Sequence, residues 1–137
     1  MKQYLFFYGT LLPDHAPVEI SSTVRRLRKV GPGFVRGRVY DLGEYPGAVL
    51  SKTGPPIPGQ IFELPEDPDV LARLDRYEEF DPASPQASLF VRTKWPVTLQ
   101  DGKKKVICWV YAYNRQPGAA PMVAASDFPK LRNHRPR

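Results

Sequence analysis

The sequence predicts an α+β domain: a mixed, partly closed β-barrel-like sheet with a few short helices. Three observations predict it. Six or so short apolar or alternating segments read as strands, no regular strand–helix alternation of a parallel α/β fold links them, and the clearest helical period is confined to the stretch after Asp67.

Residues 4–8, Tyr4-Leu5-Phe6-Phe7-Tyr8, form an apolar aromatic run closed by Gly9, as expected of a strand in the middle of a sheet that stops at a tight turn. Residues 11–17 include Pro13, Asp14, His15 and Pro17 and read as a loop. A weak helical period predicts a short helix over residues 18–27. Residues 33–43 read as a strand, with Gly37 where a bulge or a close backbone approach would fit. Tyr45-Pro46-Gly47 predicts a turn. Residues 48–51 and 60–64 are two further strands, separated by a loop or wide hairpin over residues 52–59 that holds three prolines and two glycines.

Asp67-Pro68 reads as an N-cap followed by proline at the first helical position, and Phe80-Asp81-Pro82 closes that helix, because a residue before proline avoids helical angles. At about 100° per residue, Val70, Leu71, Leu74, Tyr77 and Glu78 share one arc of roughly 120°, with Asp75 and Glu79 outside it. Glu78 is therefore the acid expected to turn inward. A carboxylate taken out of water has its pKa raised towards the range useful for proton transfer near neutral pH, unless a cation pairs with it. Two readings of Glu78 stand on this geometry: a general base held away from water, or a frayed helix end reaching solvent or an arginine such as Arg76 or Arg92.

Residues 81–88 are proline-rich and irregular. Residues 89–100 alternate, with Leu89, Val91, Thr93, Trp95, Val97 and Leu99 on one face. Asp101-Gly102 is the strongest hairpin signal and predicts a two-residue type I′ turn. Its partner strand, residues 106–114, is apolar on both faces, with Ile107, Trp109, Tyr111 and Tyr113 on one and Val106, Cys108, Val110 and Ala112 on the other.

At 137 residues the chain has the size of one domain, able to bury a core without disulfides or a structural metal. Residues 1–128 are expected to form it, with residues 129–137 a basic, disordered tail. The single cysteine, Cys108, lies in an apolar strand and behaves as a small hydrophobe, which fits a reducing compartment. No run is long enough for a signal core or a membrane span, so a soluble cytoplasmic protein is expected. The net charge of +6 is patchy: Arg25, Arg26, Arg28 and Lys29 form one cluster, Lys103, Lys104 and Lys105 another, and Lys130, Arg132, Arg135 and Arg137 a third. No helix-turn-helix, ribonucleoprotein or zinc pattern accompanies it, which argues against nucleic acid as a partner. His15 and His134 stand apart from other ligand types and give no metal pattern.

Tyr8-Gly9-Thr10-Leu11 ends the first strand. A glycine there lets successive backbone N–H groups converge into a nest that binds carboxylates or oxyanions; an ordinary turn is the plainer reading. Three stretches then carry a resemblance. Phe7-Tyr8-Gly9-Thr10-Leu11, the block from Gly37 to Gly47 (Gly-Arg-Val-Tyr-Asp-Leu-Gly-Glu-Tyr-Pro-Gly) and Leu74-Asp75-Arg76-Tyr77-Glu78 resemble, in order and spacing, the gamma-glutamylcyclotransferase-like proteins, and in particular their gamma-glutamylamine cyclotransferase-like branch. The similarity spans roughly residues 4–114.

The resemblance implies a cofactor-independent, metal-free enzyme acting on a small γ-glutamyl substrate. The α-amine would attack its own γ-carbonyl, releasing an amine and 5-oxoproline. It also implies Glu78 as the catalytic acid/base and the backbone amides of Gly9, Thr10 and Leu11 as the holder of the substrate carboxylate or the oxyanion. Tyr8 and Tyr113 become candidates for lining the pocket, with core packing as their alternative. Arg92 is a candidate for orienting Glu78 or a neighbouring loop. Glu79 departs from the pattern, since many relatives have glycine after the catalytic glutamate. A non-catalytic member that binds a small anion or a partner would keep the same pocket without needing Glu78.

Overall fold

Strand β1 (Tyr4–Phe7) leads to α1 (Val18–Val24), β2 (Arg28–Asp41), β3 (Pro46–Leu50), β4 (Pro56–Glu63), α2 (Pro68–Tyr77), a 3₁₀ turn (Pro85–Ala87), β5 (Phe90–Leu99) and β6 (Lys105–Tyr113). The structure is a computed structural model that describes residues 2–8, 18–43 and 46–123, apart from the Glu19 side chain. The loop expected over residues 11–17, the residues Gly9, Thr10, Leu11, Glu44 and Tyr45, and the expected basic tail lie outside the described residues.

The strand order is β3-β2-β4-β1-β6-β5, and β5 returns to β2 through the pairs Gly33↔Leu99 and Phe34↔Thr98. Strands β2, β4, β1, β6 and β5 thus close into a five-stranded barrel, and β3 is added along β2. Closure leaves no free edge within the ring. Alternation along each strand divides the side chains between two cores. Phe6, Val35, Ile57, Ile61, Val97 and Val110 fill the barrel, while Leu5, Phe7, Phe62 and Tyr111 face outward beneath α1 and α2, against Ile20, Val24, Val70, Leu74 and Tyr77. This is the mixed, partly closed sheet with few short helices that the sequence predicts.

Several boundaries differ from expectation, each for a local reason. Helix α1 stops at Val24, three residues short of the helix expected over residues 18–27, and β2 begins at Arg28, five residues before the strand expected from residue 33. Gly37 marks a close approach: a Cβ there would lie 2.5 Å from the Val49 carbonyl oxygen, while the irregularity of β2 falls between Lys29 and Gly31. Pro46 and Gly47 belong to β3 rather than to a turn. Pro56 and Pro58 belong to β4 because that half of the strand pairs with β2 alone; β1 joins only at Gln60 and beyond, so the missing N–H groups cost no ladder bond on that side. The β5–β6 connection is wider than a two-residue turn: the Leu99 N–H donates to the Lys104 carbonyl, the Gly102 N–H donates to the Leu99 carbonyl, and of the loop residues only Gly102 has positive φ. The register is still centred between Asp101 and Gly102.

Candidate active site

Helix α2 opens as its sequence dictates. The Asp67 side chain accepts the Asp69 N–H at 3.0 Å, and Pro68 occupies the first turn where no N–H is needed. Val70, Leu74 and Tyr77 bury one face. The helix ends at Tyr77, three residues before the proline signal at Asp81-Pro82 would require. The cause is a Schellman-type cap: the Glu79 N–H donates to the Arg76 carbonyl at 3.1 Å and the Phe80 N–H to the Asp75 carbonyl at 2.8 Å, with Glu79 in the left-handed region at φ 58°. Glu78 is the C-cap itself, its N–H held by Leu74 at 2.9 Å. Its side chain is only 1% exposed, whereas Glu79 lies open to solvent. The inward orientation expected of Glu78 is what the structure shows, and the reading in which its side chain reaches solvent falls.

Asp75 corrects the expectation that it would lie outside the buried face. It is 6% exposed, because two strands supply what its carboxylate needs. From β5, Arg92 donates Nε to Oδ1 at 2.8 Å and Nη2 to Oδ2 at 3.1 Å; from β6, the Tyr111 hydroxyl donates to Oδ1 at 2.6 Å. Arg92 and Tyr111 are directly opposite one another in the β5–β6 ladder, so one register pair converges on one acid. The guanidinium lies 4.3 Å from the Trp109 ring centroid and 5.7 Å from that of Phe80. Burial, then the neighbouring Asp75 and Glu78 charges, push the Tyr111 hydroxyl well above the ordinary tyrosine value, with Arg92 opposing, so Tyr111 stays a donor. Glu78 therefore shares an electrostatic neighbourhood with all three.

At the end of β1 the residue that follows the block from Gly37 to Gly47 reaches Tyr8. The Ala48 N–H donates to the Tyr8 hydroxyl at 2.9 Å, which ties the root of the Tyr8–Leu11 segment to β3. Gly47 packs against Tyr113, whose Cβ would be 3.1 Å from any Cβ at that position, and Tyr113 also pairs with Phe90 at 5.6 Å between ring centroids. Tyr8 and Tyr113 are both half-buried, and Tyr113 is two residues beyond Tyr111 on the same face of β6. Gly9, Thr10 and Leu11 lie outside the described residues.

Two polar groups were not singled out from the sequence. Asp75 carried a signal in hindsight, an acid one helical turn before Glu78 with an arginine and a tyrosine opposite each other across the hairpin. Gln60 carried none: its Oε1 is buried without a hydrogen-bond partner, on β4 beside Phe7. Among the described residues no group of three or more His, Cys, Asp or Glu side chains could hold a metal ion. A carboxylate removed from water, beside a protonated phenol and a neutralised acid–arginine pair, can carry a proton to and from a bound amine.

Comparison with known proteins gives consistent results. The family model described as "Gamma-glutamyl cyclotransferase, AIG2-like" matches residues 5–130. No curated protein matches the chain. Among solved structures, an AIG2-like protein (GGACT) of Mus musculus is similar over 99% of this chain and 97% of its own, with a TM-score of 0.72 at 23% identity. A protein of Arabidopsis thaliana solved in solution aligns over 86% of this chain and 67% of its own (TM-score 0.62, 22% identity). A Pyrococcus horikoshii protein aligns over 92% and 89% (TM-score 0.59, 14% identity). At these identities the structural likenesses establish the fold.

Proposed function

The chain belongs to the gamma-glutamyl cyclotransferase, AIG2-like family, and from that membership we propose that it is a cyclotransferase converting a γ-glutamyl amine or γ-glutamyl amino acid to 5-oxoproline and a free amine, with Glu78 carrying the proton. The observation that supports this most is the burial of Glu78, 1% exposed, at the cap of α2. A carboxylate at the negative end of a helix and out of water holds a proton more readily than one in solution, as a base working near neutral pH needs to do.

The reaction needs little else. The α-amine nitrogen attacks the γ-carbonyl carbon of the same molecule, the carbonyl oxygen takes up the electron pair, and collapse of that intermediate breaks the bond to the leaving nitrogen. Glu78 removes a proton from the α-ammonium and gives one to the departing nitrogen, then takes the second proton from the ring nitrogen and passes it to the released amine, which leaves as an ammonium, so it ends as it began. Ring closure to a five-membered lactam lets positioning supply much of the acceleration, with effective molarities on the order of 10⁵ M for well-oriented groups. The proton transfers add roughly 10²- to 10⁴-fold. In this reading the backbone amides of Gly9, Thr10 and Leu11 hold the oxyanion or the substrate carboxylate. Tyr8, fixed through Ala48, and Tyr113, fixed against Gly47, line the pocket.

Glu79 bears on the substrate. It is exposed beside Glu78 and places a negative charge at the rim, which favours a cationic leaving amine over an anionic one. The expected substrate is therefore a γ-glutamyl amine such as γ-glutamyl-lysine. A panel of γ-glutamyl amines, γ-glutamyl amino acids and glutathione, scored by 5-oxoproline release, tests this. Release from γ-glutamyl-lysine is expected to exceed release from glutathione; steady turnover of glutathione with none of γ-glutamyl-lysine would contradict it. Binding without release from any member would point to a non-catalytic relative.

A further inference from the structure

Asp75 and Glu78 stand one helical turn apart, and both carboxylates are shielded from water. Two like charges so placed oppose each other's ionisation. Asp75 is not left as a bare anion. Arg92 grips both of its oxygens, Tyr111 adds a third donor, and the side chains of the acid and the arginine are only 8% and 14% exposed. The guanidinium is held by the Trp109 face, and Trp109 is in turn fixed by its Nε1, which donates to Gln3 Oε1 at 3.2 Å.

We propose that Asp75, Arg92 and Tyr111 form a charge-balanced positioning unit for Glu78, in which Arg92 cancels the field of Asp75 so that Glu78 is the carboxylate left to exchange protons. The catalytic meaning of this unit rests on the reading of Glu78 given above. Asp75 and Arg92 are positioning residues and need not touch substrate. The titratable neighbours in sequence are Asp75, Arg76 and Tyr77 of its own helix and Glu79 after it, and across the sheet the Tyr111 hydroxyl feels Glu78 together with Asp75 and Arg92. Of these, Arg76 and Glu79 are exposed and screened by solvent. Burial and the Asp75 charge keep the Tyr111 hydroxyl protonated, so Asp75 and Arg92 are the shielded charges of the unit.

The test is a titration of the Glu78 carboxyl by carbon-detected NMR in protein labelled at glutamate, with its resonance assigned by loss in Glu78→Gln. Arg92→Met removes the cation and is expected to raise the Glu78 midpoint by about one pH unit; Asp75→Asn leaves the cation unmatched and is expected to lower it by about as much. Arg92→Lys, which keeps the charge, and Tyr111→Phe, which removes a neutral donor, should each move it by only about a few tenths. The double variant Asp75→Asn/Arg92→Met should return close to wild type. It also covers the case in which a single variant does not fold, because replacing both members of a buried pair by neutral side chains is tolerated where removing one is not. Midpoints that move in the same direction in both charge variants, or that stay put, overturn the proposal, as does a shift of more than about one unit in the double variant. The readout does not depend on turnover. An inactive protein showing the opposed shifts would remove the catalytic reading and keep the unit, whereas an active protein without the shifts would do the reverse.

Discussion

Cys108 shows what burial does to an ionisable side chain here when nothing compensates it. Its Sγ has the Val106 carbonyl at 3.7 Å, and desolvation pushes the thiol up to about 12. A raised thiol pKa means less thiolate at any given pH, about one part in ten thousand at pH 8, and the thiolate is the nucleophile. Folded protein at pH 8 is therefore expected to be inert to a thiol-specific chromogenic reagent and to release one equivalent once denatured; rapid stoichiometric labelling of the native state would contradict this. Asp75 meets the same burial and answers it with two strands' worth of donors. That contrast explains what could be read at this scale. The inward face of Glu78 was legible because helix periodicity is local, whereas the burial of Asp75 was not, since its partners lie 17 and 36 residues further along the chain.

At the scale of elements, the end of α2 is set by its cap and not by the proline that follows. Glu79 adopts φ 58° to let its own N–H and that of Phe80 close the helix, a conformation that costs a side chain roughly 1 kcal/mol and costs glycine almost nothing. A glycine at this place, which the family resemblance leads one to expect, would have a backbone reason. Glu79→Gly is expected to raise the urea midpoint by the equivalent of about 0.5–1 kcal/mol while leaving Glu78 buried; a loss of stability would show that the Glu79 side chain contributes more than its backbone strain costs. The hairpin was the most legible element. Centring it on Asp101-Gly102 places Arg92 opposite Tyr111 and Phe90 opposite Tyr113, which is the observed register, although the turn itself is wider. Strand β4 was half-missed because prolines read as loop, and only its one-sided pairing makes them acceptable.

Over the whole molecule, the sequence announces strands and their alternation but not where the ring closes. The seam rests on Gly33↔Leu99 and Phe34↔Thr98, and at Gly33 an added Cβ would stand 2.8 Å from the Thr98 carbonyl oxygen and 3.0 Å from Ile61 Cδ1. Gly33→Ala is expected to cost about 1–3 kcal/mol in urea unfolding and to speed amide exchange along β5 near Thr98; a change under about 0.5 kcal/mol would mean that the seam is not needed. The basic clusters look different once folded: Arg26 pairs with Asp67 and Arg28 with Glu63, so part of the positive excess near α1 is matched locally. Among the described residues no helix is long and apolar enough to cross a membrane. Both cores and the barrel serve to hold Glu78 under cover at the end of α2, and the most direct test of its proposed role compares wild type with Glu78→Gln for binding of a γ-glutamyl amine and for 5-oxoproline release. Binding within a few-fold and turnover reduced by about 10² or more are expected of Glu78→Gln; a variant that binds and still turns over at close to the wild-type rate would mean that Glu78 does not carry the proton.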